Sequence, residues 1–116
     1  MSQFTIYHNP RCSKSRNTLA LLREKGVEPE IVLYLETPLT APQIRDLLAK
    51  LDINPADLVR RGEAEYQQAG LGKDSSVEDY IAAMAAYPRL IERPVVVCGS
   101  KAVLGRPPEN VLDLLA

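Results

Sequence analysis

The first apolar cluster falls within Gln3-Phe4-Thr5-Ile6-Tyr7-His8, where β-branched and aromatic side chains suit a strand. Asn9-Pro10 ends it, because proline has no N–H to give to a ladder. After Cys12 and Ser13 the period changes. Leu19, Leu22 and the alkyl stem of Arg23 recur at three- and four-residue spacing as far as Gly26, which predicts an amphipathic helix with a glycine stop. Ile31-Val32-Leu33-Tyr34-Leu35 is nearly all apolar and predicts a second strand covered on both faces, closed by Thr37-Pro38. Two strands joined by one helix form a βαβ unit with a right-handed crossover, so they should run parallel.

Thr40 can cap a helix whose Ile44, Leu47, Leu48 and Leu51 share one face. Asn54-Pro55 opens a short helical turn toward Arg60, and Gly62, Gly70 and Gly72 bracket a polar stretch that reads as loop. Val77, Tyr80, Ile81 and Met84 repeat the helical spacing up to Pro88. Val95-Val96-Val97-Cys98, a Gly99-Ser100 turn and Ala102-Val103-Leu104 predict an antiparallel hairpin. Pro107-Pro108 then opens a last helix with Val111, Leu112 and Leu115 facing inward. The order β-α-β, helical insertion, β-β-α predicts an α/β domain with a mixed sheet covered by helices, the thioredoxin-like arrangement, as one domain over residues 1–116.

Composition narrows what such a domain does. Its 116 residues are 46% apolar and 25% charged, enough for one core and unlike a disordered or collagenous chain. Fourteen basic and 15 acidic side chains leave a net charge of -1, so bulk electrostatics ask for neither nucleic acid nor a membrane. Two cysteines are too few for a disulfide scaffold, and the early residues lack a signal-peptide pattern, so the cytoplasm is the expected location. One histidine and two separated cysteines cannot supply the usual four zinc ligands, and no nucleotide fingerprint suggests a bound organic cofactor.

The chemistry-bearing stretch is His8-Asn9-Pro10-Arg11-Cys12-Ser13-Lys14-Ser15-Arg16, with Cys12 between the first strand and the first helix. A helix N-terminus offers unpaired N–H groups and partial positive charge, which stabilise both a thiolate and an oxyanion. Arg11, Lys14 and Arg16 add cations with no acid among them. The competing reading is an inert buried thiol, the better one for Cys98 at the end of its valine run. The two thiols could still meet as a resolving pair, since sequence separation does not fix distance. His8 is either a half-exposed strand-end residue or an imidazolium that favours the thiolate further. Ser15 makes the motif C-x-x-S, which rules out a disulfide within the turn. Its hydroxyl is either a donor to the thiolate or an ordinary first-turn residue. Arginines also recur beside punctuation, at Arg60-Arg61-Gly62, Arg93-Pro94 and Arg106-Pro107. Each alone reads as a solvated residue, but guanidinium forks also suit a tetrahedral oxyanion, and thioredoxin-type folds place a cis proline where Pro94 stands.

Ile6-Tyr7-His8-Asn9-Pro10 leading to Cys12, Ser15-Arg16-Asn17-Thr18-Leu19, Leu33-Tyr34-Leu35-Glu36, Leu58-Val59-Arg60-Arg61, Ile91-Glu92-Arg93-Pro94 and Gly105-Arg106-Pro107 together resemble the glutaredoxin-coupled arsenate reductases and their short homologues. The resemblance spans essentially the whole chain. It implies a Cys12 nucleophile, oxyanion binding by Arg60, Arg93 and Arg106, and thiolate tuning by His8 and Ser15. It further implies arsenate as substrate, glutathione as co-substrate and glutaredoxin as partner. Ser15 fits a scheme in which the second and third thiols come from outside. Two other activities remain open: a monothiol exchange of glutathione with protein disulfides, and a redox-responsive transcriptional regulator of the same fold. Ser15 argues against the latter, whose branch commonly senses through C-x-x-C. The phosphatase-like arsenate reductases need C-x5-R and are excluded, because Thr18 stands at the sixth position after Cys12.

Overall fold

The computed structural model describes residues 3–115. Backbone contacts gather into two compact units, one comprising the segment up to Thr37 together with that from Arg93, the other Pro38–Glu92. The first holds β1 (Phe4–Tyr7), α1 (Ser13–Glu24), β2 (Glu30–Val32), β3 (Val95–Cys98), β4 (Lys101–Leu104) and a 3₁₀ segment, Pro108–Leu114. The strand order is β2-β1-β3-β4. β1 pairs with β2 in parallel and with β3 antiparallel, and β3 and β4 form the hairpin, so the sheet is mixed as expected.

The core of this unit joins Ile6 of β1, Leu19 and Leu22 of α1, Val96 of β3 and Val111 of the 3₁₀ segment. α1 buries Ser15, Thr18, Leu19 and Leu22, a stripe at the helical period whose first two members are polar. Gly26, at φ 82°, supplies the left-handed conformation that ends the helix.

The second strand departs from expectation. β2 stops at Val32, and Leu33 begins a turn in which its carbonyl accepts from the N–H groups of Glu36 and Thr37. β2 is an edge strand with Ile31 exposed, so the apolar run is not a strand covered on both faces. Tyr34 is instead buried by the turn, while Leu35 is exposed. At the C-terminus, 3₁₀ geometry replaces the expected α-helix, burying Val111 and leaving Leu112 exposed.

The helical unit contains α2 (Ala41–Leu51), α3 (Pro55–Leu58), α4 (Ala64–Gln68), α5 (Val77–Ala86) and a 3₁₀ turn, Pro88–Leu90. Thr40 and Gln43 form a capping box at α2, as Ser76 and Asp79 do at α5. Ile44, Leu47 and Leu48 of α2 and Tyr80, Ile81 and Met84 of α5 are buried, whereas Val77, expected on the apolar face, is exposed. α4 lies in the stretch read as loop, and it escapes notice because none of its five residues is buried. Among the described residues, no helix is long and apolar enough to cross a membrane.

Candidate active site

Asn9-Pro10-Arg11-Cys12 is a tight turn between β1 and α1. The Cys12 N–H donates to the Asn9 carbonyl at 3.0 Å, and the Asn9 side-chain oxygen accepts from the Arg11 N–H at 3.0 Å. Pro10 presets the backbone at the second turn position. Cys12 becomes the N-cap of α1, with extended backbone at φ -93° and ψ 123°, and no side chain caps the helix. The first turn carries no acid. Its N–H groups and the α1 dipole are therefore left to act on the half-buried Cys12 sulfur or an anion beside it. Of the three nearby cations, Arg16 donates to the Pro10 carbonyl at 2.9 Å and braces the turn. Arg11 and Lys14 are exposed.

His8 and Ser15 meet beneath this turn. His8 Nδ1 lies 2.6 Å from Ser15 Oγ, which also accepts from the Asn9 N–H at 3.0 Å. Both side chains are buried, so His8 is not the half-exposed residue of the bland reading. Burial, followed by the Arg23 and Arg16 guanidiniums, lowers the His8 pKa from 6.5. The ring is consequently neutral at pH 7, and the imidazolium anticipated beside Cys12 is the minor form. With Nδ1 unprotonated, Ser15 spends its hydroxyl proton on His8; with Nδ1 protonated, that proton is released for another acceptor.

This burial makes stability depend on pH in a defined direction. Because the folded chain binds the His8 proton less tightly, the unfolded chain carries more protons between the lowered value and 6.5. The His8 contribution is complete above 6.5 and is lost as pH falls through the window below it. Urea denaturation of wild type and His8→Gln between pH values of about 7.5 and 5 should therefore show a steeper loss on acidification in wild type. Equal slopes would assign the pH dependence to other groups.

The loops flanking β3 and β4 are bound into the same unit. The Arg93–Pro94 and Arg106–Pro107 peptide bonds are both cis. The Gly105 N–H donates to the Pro94 carbonyl at 2.9 Å, and Arg106 Nη1 to the Arg93 carbonyl at 3.1 Å. Thr18 links these loops to α1, its hydroxyl lying 2.8 Å from the Lys14 carbonyl and 3.3 Å from that of Gly105. Arg93 Nε is buried and has no hydrogen-bond partner among the described residues. A guanidinium N–H in that state is costly by itself and suits an anion that would accept from it.

The chain as a whole has counterparts among known proteins. The model of the ArsC family matches residues 7–114. The chain belongs to the ArsC family. It is 44% identical over 116 residues to an arsenate reductase of Escherichia coli (strain K12), covering 99% of this chain and 82% of that protein. It is 56% identical over 115 residues to the uncharacterised protein YfgD of the same organism, covering 97% of each. An arsenate reductase from Vibrio cholerae shares the thioredoxin-like fold, with a TM-score of 0.91 at 45% identity over 95% of each chain.

Within this ArsC-family chain, the structure brings Cys12, His8, Ser15, Arg93 and Arg106 into one compact unit. Arg60 belongs to the helical unit, where its N–H donates to the Leu90 carbonyl at 2.7 Å and its side chain pairs with Glu63 and Glu92. Arg61 is exposed. Cys98 cannot resolve Cys12 in this fold. It registers opposite Phe4 at the start of β1, whereas Cys12 lies beyond the strand's end. β1 alone separates these ends by about 10 Å, more than a disulfide spans.

The sequence alone assigns no individual role to Thr18, Gly105, Glu63 or Glu92, although all but Glu63 lie within the motifs that carry the resemblance. Thr18 had a readable signal, standing three residues after Ser15 and one turn before Leu22 on the same helix face. Gly105 is revealed only by the space around it, for a Cβ there would lie 2.6 Å from Thr18 Oγ1 and 2.8 Å from Pro94 Cγ.

Proposed function

We propose that the chain reduces arsenate to arsenite with glutathione and glutaredoxin, using Cys12 as nucleophile. The observation carrying this reading is the uncapped α1 N-terminus at Cys12, in the same compact unit as the buried, unpartnered Nε of Arg93. The first leaves helix N–H groups and their dipole available to an anion at Cys12, and the second can donate to an oxyanion. Arg93 and Arg106 are assigned to the oxyanion, and His8 and Ser15 to maintaining the Cys12 turn. A thiol-reducing compartment such as the cytoplasm suits a nucleophile that must stay free.

In this scheme the Cys12 thiolate attacks As(V), an S–As bond forms, and one arsenate oxygen leaves as water after protonation. Glutathione replaces a second oxygen in the same way. The glutaredoxin thiolate then attacks the glutathione sulfur, and the electron pair of the breaking S–As bond passes to arsenic, making it As(III). Water cleaves the remaining Cys12–arsenic bond, releases arsenite and restores the thiol. Ser15 provides no internal thiol to intercept these steps.

The test is arsenite formation from arsenate by the purified protein, with glutathione and glutaredoxin in one arm and thioredoxin in the other. Saturable turnover in the first arm alone is expected. Arg93→Ala should weaken arsenate binding by about 1.5–3 kcal/mol, the scale of a charge-assisted hydrogen bond, read as a raised KM. Turnover supported only by thioredoxin would reject the glutathione route, and an unchanged KM would remove Arg93 from the site.

A further inference from the structure

Thr18 is fully buried in α1, on the stripe it shares with Ser15, Leu19 and Leu22. A valine would fill the same space without burying a hydroxyl, so what threonine adds lies in the bonds of Oγ1. That oxygen carries one proton and faces two carbonyls, of Lys14 at 2.8 Å and of Gly105 at 3.3 Å. The first is the local contact that a helical threonine makes one turn back. The second crosses 87 positions of the chain.

The segment that Oγ1 reaches carries both arginines. The Gly105 N–H donates to the Pro94 carbonyl at 2.9 Å, Arg106 follows Gly105 directly, and Arg93 precedes Pro94. Arg106 Nη1 donates to the Arg93 carbonyl at 3.1 Å, which ties the two loops together. At the other end of the connection, Thr18 stands six residues after Cys12, about 9 Å along the α1 axis. Every member of this chain of contacts belongs to one compact unit.

The apolar contacts of α1 cannot replace it. Leu19 and Leu22 join Ile6, Val96 and Val111 in the core, and burial of apolar surface is non-directional. It holds the helix against the strands without favouring one height along the helix axis. A hydrogen bond selects a height, because it weakens steeply with misalignment.

We infer that Thr18 is a positioning residue whose shared hydroxyl fixes the height of α1, and with it Cys12, relative to the loops that carry Arg93 and Arg106. The inference rests on the assignment of those groups to arsenate. A threonine that only filled space could be replaced by valine with no consequence for the anion.

Thr18→Val keeps the side-chain shape and removes the donor, whereas Thr18→Ser keeps the donor and removes a methyl group. Both suit a buried helical position, and urea denaturation should show a cooperative transition in each. The probe is arsenate without glutathione, titrated against alkylation of Cys12 by iodoacetamide in the full-length protein and followed by peptide mass spectrometry, so that Cys98 is not counted. The half-protecting arsenate concentration should rise about three- to tenfold in Thr18→Val and stay within about twofold of wild type in Thr18→Ser. The alkylation rate without arsenate should be the same in all three proteins, since the bonds that close the Cys12 turn do not involve Thr18.

An unchanged half-protecting concentration in Thr18→Val overturns the inference; if Arg93→Ala still weakens protection, the arsenate site stands. Weakening in Thr18→Ser as large as in Thr18→Val also overturns it, because packing of the methyl group would then be the cause. So does a Thr18→Val effect confined to the alkylation rate without arsenate, which would place the action of the hydroxyl on the Cys12 turn alone. If Arg93→Ala changes nothing, the assignment of Arg93 fails and the inference with it. Absence of protection in wild type rejects the oxyanion reading of Cys12 and everything built on it.

Discussion

Replacing Cys12 by serine should lower arsenite formation by about a thousandfold or more while leaving the protein at least as stable. The two effects separate because Cys12 has two positions in one, nucleophile and N-cap. A serine hydroxyl is scarcely ionised at neutral pH, and the α1 N-terminus cannot compensate for that, so the attack on As(V) loses its anion. As an N-cap, however, serine is the better residue. The cysteine makes no capping hydrogen bond, whereas a serine oxygen can accept from an N–H of the first turn and add about 0.5–1 kcal/mol. Turnover measured beside urea denaturation resolves the two. Retained activity would remove Cys12 from the chemistry, and a loss of activity paralleled by loss of fold would leave its role as nucleophile without support from this variant.

Gly105→Ala has the largest structural effect expected here. A Cβ at this position would stand 2.6 Å from Thr18 Oγ1, 3.0 Å from Thr18 Cγ2 and 2.8 Å from Pro94 Cγ. These are not flexible side-chain ends. Thr18 is fully buried and tied to the Lys14 carbonyl, and the Pro94 ring cannot rotate aside. Overpacking of this kind costs about 1–3 kcal/mol. It would also push apart α1 and the loops that carry Arg93 and Arg106, so arsenate binding should weaken as stability falls. Thr18→Ala removes two of the three clashing atoms. The double variant should accordingly be less destabilised than the sum of its parts, and strict additivity in urea denaturation would contradict this account.

Much of the scaffold is legible because apolar periodicity and turn chemistry are local. Ile44, Leu47 and Leu48 declare α2, and Thr40 begins it with a capping box that the structure contains. β2 shows where locality ends. An apolar run such as Ile31 to Leu35 looks alike whether it is a strand buried on both faces or an edge strand continued by a turn, and the choice depends on which strands become neighbours. α4 was hidden for the opposite reason, since a short helix with no buried face has no pattern to read.

The order of residues alone places Cys12 between a strand and a helix, with no second cysteine at Ser15 and no acid in the following turn. Those properties depend on residues close in the chain and on the fixed direction of helix N–H groups. Folding is what buries His8 against Ser15 and keeps it neutral, leaves Gly105 no room for a side chain, and sets Arg60 against Glu92, 32 positions further along the chain. Each of these outcomes depends on desolvation, packing or Coulomb attraction between groups brought within a few ångströms. Such forces follow distance in space, which the bridge between Val59 and Ile91 and the sheet register set after the chain has folded.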